Sequence, residues 1–363
     1  GLGDVYKRQG EDRDDYRTQV MTQMVAGEGP DILYVSRDDM EILYKKGLIA
    51  DLREYISDNT LNTVMPNALE LGNKDGKLVG IAAGVMAYTL MVQDDVWSGD
   101  NWTIDDMISL LESGKLSGRM CYEELQRNVL ADSAYAIFTL VTDMISGDNF
   151  VIDWENMESH FDDERFVKLL KFFSGYDKKQ TDVSEEQLRG AVKYVDLSNL
   201  SSVGNYKGLK GNEGWHYVGY PTDSGCGSYI MDYGMVVVNA RTTSKEAVTA
   251  YMESFLGMEV QENFSSDSNY SSFPVLPLSV DDIVYPDEDN GKEKASWHNM
   301  NILQFDDGTT SVHEVNEMFK HCAPAMKRYY AINMIVADEL NAYISGERTA
   351  EETAAIIDDR VQI

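Results

Sequence analysis

The sequence has few cysteines, and their positions exclude two kinds of stabilising site. Only three occur in 363 residues, namely Cys121, Cys226 and Cys322, and no two of them have a CxxC spacing. Three distant cysteines form at most one disulfide and no thiolate metal cage. The sequence therefore supports neither a disulfide scaffold nor a zinc site.

Positive charge is also scarce. There are 31 Lys and Arg residues against 62 Asp and Glu residues, so the net charge is −31. A chain this acidic repels phosphate backbones and anionic lipid headgroups. We therefore expect no nucleic-acid partner.

Long hydrophobic runs are absent. The longest are short stretches such as Met235–Val238, whereas a membrane-spanning helix needs roughly 18 apolar residues. Hydrophobic residues nevertheless make up 43% of the chain, and aromatic residues 10%, which argues against a disordered chain. The length of 363 residues predicts two domains rather than one.

The usual catalytic and cofactor motifs are missing too. His313 and Glu314 begin an HExxH-like stretch, but Glu317 stands where the second zinc-binding histidine is needed. The Gly225–Ile230 stretch lacks the third glycine of a dinucleotide-binding loop. We therefore expect no catalytic residue, no metal site and no cofactor. A carboxylate pair for glycoside hydrolysis stays open as an alternative, because 62 acidic residues are available.

The first residues of the chain look unlike a folded segment. Residues 1–9, GLGDVYKRQ, show no hydrophobic period and no signal-peptide pattern, and they resemble translated sequencing-adapter sequence. We expect residues 1–14 to be artefactual or disordered. On that interpretation, any signal sequence or lipidated cysteine is not present in this chain.

Helical and strand-like patterns alternate along the rest of the chain, which predicts an α/β protein. Thr103 with Asp106, Ser184 with Gln187 and Thr349 with Glu352 have the spacing of capping boxes and predict three helix starts. Helices are predicted over 15–26, 37–46 and 245–256, strands over 31–35, 77–81, 88–92, 217–220 and 235–239, and a helical C-terminal part over 312–361.

Several motifs in order resemble one family. Residues 16–33, YRTQVMTQMVAGEGPDIL, resemble the helix, glycine turn and strand of the extracellular solute-binding proteins of bacterial ABC importers, family 1, which are maltose-binding-like. Further resemblances are KGLIADL at 46–52, GKLVGI at 76–81, GYPT at 219–222, the helix at 244–256, FPV at 273–275 and the helix pair at 344–355. The resemblance covers residues 15–363, and the family's N-terminal strand and helix are missing.

The resemblance implies an α/β, two-lobed periplasmic-binding-protein-like fold of type II. Its lobes are joined by a hinge, and the ligand binds in the cleft between them. The implied division assigns 15–85 to lobe 1, 86–230 to lobe 2, 231–300 to lobe 1 and 301–363 to the C-terminal helices of lobe 2.

The implied function is that of a substrate receptor without enzymatic activity. It captures a small solute, by family default a sugar or oligosaccharide, and delivers it to ABC permease subunits. The resemblance further implies a monomer, either lipid-anchored on the extracellular face of the membrane or periplasmic. A carbohydrate-active hydrolase and a surface glycan-binding adhesion module remain the alternatives.

Ligand-binding candidates follow from the implied loop and crossing positions. Asp38 matches a carboxylate that accepts hydroxyl hydrogen bonds in sugar-binding relatives, although its place also suits a helix cap. The maltose-type site is not preserved, because Val35, Met86 and Ala82 replace a stacking tryptophan, a glutamate and a proline. Trp215 and Trp297 are added because sugars pack on flat aromatic faces, although both residues could equally be structural. The full set is Ser36, Arg37, Asp38, Met86, Tyr88, Trp215, Tyr229, Asp232, Tyr233 and Trp297.

Overall fold

The computed structural model divides the chain into two compact units. Unit 1 comprises residues 1–85 and 232–278, and unit 2 comprises 86–231 and 279–363. The predicted boundary at residue 300 lies outside the described residues. The structure describes residues 13–116, 120–122, 151–153, 156, 158–174, 192–197, 214–223, 227–261, 272–277, 309–325 and 330–361.

Helices and strands alternate along the described part of the chain. The helices are α1 (Arg13–Ala26), α2 (Arg37–Lys45), α3 (Asp58–Leu61), α4 (Pro66–Glu70), α5 (Ile104–Glu112), α6 (Glu164–Ser174), α7 (Lys245–Phe255), α8 (Thr309–His321), α9 (Tyr330–Ile344) and α10 (Ala350–Arg360). The strands are β1 (Ile32–Val35), β2 (Asn73–Lys74), β3 (Lys77–Leu78), β4 (Ile81–Ala82), β5 (Val85–Gln93), β6 (Met120–Tyr122), β7 (Ile152–Asp153), β8 (Glu158–Ser159), β9 (Val192–Leu197), β10 (Trp215–Tyr217), β11 (Tyr229–Asp232), β12 (Met235–Val238) and β13 (Ala323–Pro324).

Unit 1 is built on a three-stranded antiparallel sheet in the order β1-β12-β4. All four residues of β12 are apolar and buried, so both faces of this central strand are covered. Val236 pairs with Tyr34 on one side and with Ile81 on the other. Helix α2 buries Met40 and Leu43 and therefore has one face in the core.

Unit 2 contains a larger sheet in the order β13-β11-β5-β9-β6, and β10 also pairs with β5. Strands β5 and β9 are antiparallel, from Ala87 opposite Leu197 to Val92 opposite Val192. Helix α9 packs on α10, α10 on α6, and α6 on α5. Their apolar faces and the sheet share one core, which includes the fully buried Phe161 and Phe166 rings in an edge-to-face contact.

Two of the predicted capping boxes are confirmed. The Thr103 backbone N–H donates to the Asp106 carboxylate at 2.9 Å, and the Asp106 N–H donates to Thr103 Oγ1 at 3.2 Å. Thr349 and Glu352 repeat this exchange at the start of α10. The third pair, Ser184 and Gln187, lies outside the described residues. Capping is local chemistry, so sequence spacing alone predicts it.

The predicted strand over 217–220 is wrong beyond Tyr217. Strand β10 ends there because Gly219 takes φ +78°, which breaks the extended backbone. The Val218 N–H instead donates to the Leu90 carbonyl at 2.8 Å, and Trp102 Nε1 donates to the Gly219 carbonyl at 2.8 Å. The turn thus anchors the buried Trp102 ring.

Helix α1 begins at Arg13, so the last two residues of the segment expected to lie outside the fold belong to it. Across the described ranges, none of the helices combines the length and hydropathy that crossing a bilayer requires.

Candidate functional site

Three of the predicted residues lie where β1 passes into α2. Ser36 is the N-cap of α2: its Oγ accepts from the Asp39 N–H at 3.1 Å and donates to Asp39 Oδ2 at 3.0 Å. The interpretation of Asp38 as the helix cap is therefore wrong, because the Ser36 hydroxyl already occupies that role. Asp38 is exposed in the first helical turn, where the helix dipole favours a carboxylate.

A second segment of unit 1 carries Asp232 and Tyr233. It connects β11 to β12 through Gly234, whose φ of +132° favours glycine. The Tyr233 N–H donates to the Gly84 carbonyl at 2.9 Å, and the Ala83 N–H donates to the Gly234 carbonyl at 2.9 Å. The turn at residues 232–234 is thus bonded to the segment that precedes β5.

Within unit 1, the charges of Arg37 and Asp38 both act on the Asp232 carboxyl. Burial raises the pKa of the Asp232 carboxyl and the nearby Asp38 carboxylate adds to the rise, whereas Arg37 and the backbone N–H groups of Asp232 and Gly234 oppose it. The pKa remains above its ordinary value. We call Arg37, Asp38 and Asp232 the charged cluster; it holds one hydrogen-bond donor group and two carboxylates.

Two of the predicted residues of unit 2 belong to an aromatic stack. Tyr88 on β5 and Tyr229 on β11 are parallel, with 5.1 Å between ring centroids, and Tyr220 lies 5.8 Å from Tyr229. Tyr229 and Tyr220 are fully buried, whereas Tyr88 is half-buried. Met86 is also half-buried and shares a face of β5 with Tyr88, since alternate strand residues point the same way.

The structure does not bring Trp215 to this stack. Trp215 is 7% exposed and pairs with Gln93, five residues along β5 from Tyr88, or roughly 17 Å at the rise of a strand. The next residue, His216, contacts Asp94 through Nδ1 at 2.6 Å. Trp297 lies outside the described residues. In the described part of the chain, no group of three or more His, Cys, Asp or Glu side chains is placed to hold a metal ion.

Sequence reasoning missed Tyr34. The segment Ile32–Val35 has the pattern of a buried strand, yet Tyr34 is 58% exposed. Its hydroxyl donates to the Tyr233 carbonyl. The turn glycine at 234 was the available signal, because such a residue permits another side chain to approach the backbone closely.

The profile of the family described as "Bacterial extracellular solute-binding protein" matches residues 6–292, which is more than half of the chain. This chain belongs to that family. The family predicted from the ordered sequence motifs is thereby confirmed.

Three solved structures with a similar fold have low sequence identity to this chain. The chain is similar to an extracellular solute-binding protein family 1 from Alicyclobacillus acidocaldarius, with 14% identity over 96% of this chain and 87% of that chain and a TM-score of 0.60. It is similar to the sugar-binding protein MalE from Xanthomonas citri, with 13% identity over 96% and 87% and a TM-score of 0.59. It is also similar to the cyclic alpha-maltosyl-1,6-maltose binding protein from Arthrobacter globiformis, with 14% identity over 96% of this chain and 88% of that chain and a TM-score of 0.55. Structural similarity at this level of sequence identity shows the fold. It confirms the predicted α/β fold of the periplasmic-binding-protein type.

Proposed function

We propose that this family member is the substrate receptor of a bacterial ABC importer and that its solute is a sugar or oligosaccharide. Two of the similar structures are described as sugar-binding or maltosyl-maltose binding proteins, which supports the solute class. The observation on this chain that carries the proposal is the charged cluster of unit 1.

The chemistry of the charged cluster suits a polyhydroxylated ligand. Ionised carboxylates accept hydrogen bonds from hydroxyl groups, and a guanidinium donates several in a fixed fork. Asp38 is exposed and Arg37 half-buried, so both groups lie partly at the surface of unit 1. Unit 2, taken by itself, offers the half-buried ring of Tyr88 as a flat aromatic face, and we propose this ring as a sugar contact of that unit.

The proposal assigns binding and no catalysis to this chain. It places the protein outside the cytoplasm, at the outer face of the membrane with a lipid anchor or in the periplasm, in agreement with the family description. Permease subunits are the proposed partners, and the receptor is proposed to act as a monomer.

A thermal-shift screen of mono- and oligosaccharides, amino acids, peptides and polyamines tests the solute class. A ligand that binds only the folded state adds about 2.7 kcal/mol of stability at a hundredfold excess over Kd. We expect a sugar to raise Tm. A rise with amino acids, peptides or polyamines and none with sugars would overturn the assignment.

Calorimetric titration of Asp38→Asn with the sugar found in the screen tests the charged cluster. Loss of a hydrogen bond to a charged group should weaken binding by about 1.5–3 kcal/mol. Asp58→Asn is the matched control, because Asp58 is an exposed carboxylate in the first turn of α3 in the same unit. Equal affinities of the two variants would remove Asp38 from the site.

Turnover must be measured on the same sugars. Two neighbouring carboxylates, one with a raised pKa, are also used by glycoside hydrolases. We expect the sugar to be recovered intact after long incubation. Release of a reducing end that Asp232→Asn abolishes would favour the hydrolase alternative over the receptor.

A further inference from the structure

We propose that Tyr34 is a positioning residue that holds the turn at residues 232–234 against the strand leading into α2 and so keeps the charged cluster assembled. The inference deepens the proposed function and rests on it only in taking the cluster as the binding site. The contacts themselves lie within unit 1 and are independent of any ligand.

The Tyr34 side chain touches the turn in two ways. Its hydroxyl donates to the Tyr233 carbonyl. Its ring also covers Gly234: a Cβ added to Gly234 would lie 2.2 Å from Tyr34 Oη, 2.3 Å from Cζ and 2.8 Å from Cε2. Only a glycine leaves room for this contact, so the turn and the tyrosine are shaped to each other.

The sheet register explains why Tyr34 can reach the turn. Tyr34 pairs with Val236, which lies two residues beyond Gly234. Aromatic side chains reach such diagonal neighbours across an antiparallel pair. Tyr34 also lies two residues before the N-cap Ser36, so one side chain joins the turn that carries Asp232 to the strand that delivers Arg37 and Asp38.

The turn is bonded on its other side to the segment before β5. The hydrogen bonds of Tyr233 to Gly84 and of Ala83 to Gly234 hold its backbone there. Tyr34 contacts the turn from the opposite strand of the sheet, because β12 lies between β1 and β4. With both attachments in place, the Asp232 carboxylate has a fixed position relative to α2.

Core packing does not explain this tyrosine. Its side chain is 58% exposed on an edge strand, whereas the neighbouring Leu33 is buried. A ring exposed to this degree contributes little apolar burial. Its hydroxyl and ring contacts with the turn assign it a positioning role.

Tyr34→Phe removes the hydroxyl and keeps the ring, so the variant is expected to fold. Amide hydrogen exchange, read residue by residue, should become about fivefold faster for the N–H groups of Ala83 and Tyr233, the ratio expected when a hydrogen bond of about 1 kcal/mol no longer supports the turn. The N–H of Val85, which donates to the Phe273 carbonyl at 2.9 Å, is the internal control and should not change. Equal acceleration at all three amides would mean general loosening and would overturn the proposal, as would no change at all.

The pH titration of the Asp232 carboxyl carbon, followed by NMR, provides the second measurement. If Tyr34 positions this carboxylate beside Arg37 and Asp38, the midpoint of the Asp232 titration should differ between Tyr34→Phe and wild type. Tyr251→Phe is the matched control, because Tyr251 is 50% exposed on α7 of the same unit, and it should leave the midpoint unchanged. Identical midpoints in Tyr34→Phe and wild type would overturn the positioning role.

These measurements separate this inference from the proposed function, because they use the protein without ligand. Altered exchange and titration in a protein that binds none of the screened sugars would keep the positioning role and contradict the proposed solute. Sugar binding by the wild-type protein, with exchange and titration unaltered in Tyr34→Phe, would support the proposed solute and contradict the positioning role of Tyr34.

Discussion

The rings of Tyr88 and Tyr229 stack with 10° between their planes. Tyr229 is fully buried and also touches Tyr220, whereas Tyr88 remains half-buried. The two tyrosines therefore have different roles within unit 2. Tyr229 is part of the core and supports the ring of Tyr88, which is the accessible member of the pair.

This difference predicts unequal effects on stability. Tyr229→Ala should lower the free energy of unfolding by about 3–5 kcal/mol, because it leaves a cavity in the core. Tyr88→Ala should lower it by clearly less. Urea unfolding of both variants measures the difference, and equal losses would contradict the division of roles.

Tyr88→Ala is instead expected to weaken solute binding. Losing an aromatic contact of about 1.4 kcal/mol raises Kd about tenfold. Calorimetric titration with the sugar found by thermal shift measures the change. Tyr251→Ala, another partly exposed tyrosine that stacks on a neighbouring ring, should bind as wild type does. Unchanged affinity in Tyr88→Ala would exclude its ring as a sugar contact.

The raised pKa of the Asp232 carboxyl leads us to expect that stability depends on pH. Because burial raises its pKa in the folded state above the ordinary 3.8, the protonated form favours folding. This contribution is full below the ordinary value and is lost as the pH rises through the folded-state pKa. Asp232→Asn should therefore have a higher Tm than wild type at about pH 7, and the gain should disappear at about pH 3.

Thermal unfolding at several pH values measures this difference. Asp58→Asn is the control, because it replaces an exposed carboxylate of the same unit. A lower Tm for Asp232→Asn near neutral pH would mean that the contacts of the ionised carboxylate outweigh its burial.

Gly234→Ala should be strongly destabilising. The variant combines an unfavourable φ of +132° with a collision against the Tyr34 ring, and backbone strain plus overpacking sum to roughly 2–6 kcal/mol. Gly47→Ala separates the two effects, since Gly47 has φ +68° and no atom within 4 Å of an added Cβ. Gly47→Ala should lower the free energy of unfolding by about 1–2 kcal/mol. Equal costs in chemical unfolding would show that Tyr34 yields to the new methyl group.

The resemblance predicted the fold class and residue spacing predicted local helix starts, whereas features that depend on contacts distant in sequence were missed. Thr103 and Asp106 signal a helix start because their contacts join residues three positions apart. The end of β10 was missed, because the positive φ of Gly219 depends on its fit between Ser228 and the strand that carries Leu90.

The same limit applies to the candidate site. The resemblance identified the segments that carry Arg37, Asp38 and Asp232, and in the structure the charges of the first two act on the Asp232 carboxyl. It did not identify Tyr34, since exposure on an edge strand follows from the sheet order. Nor did it distinguish buried Tyr229 from half-buried Tyr88, because both lie in strands with similar apolar patterns.

The central position of β12 has a consequence for how the chain is made. Strands β1 and β4 precede β12 in the chain, and in the described part of the chain both pair with β12, so this sheet cannot be completed before β12 has been synthesised. Pairing Ile32 with Val238 closes a very long loop, and such pairings form slowly. Until then β1 and β4 lack their partner strand, and transiently unpaired strand edges of this kind favour aggregation.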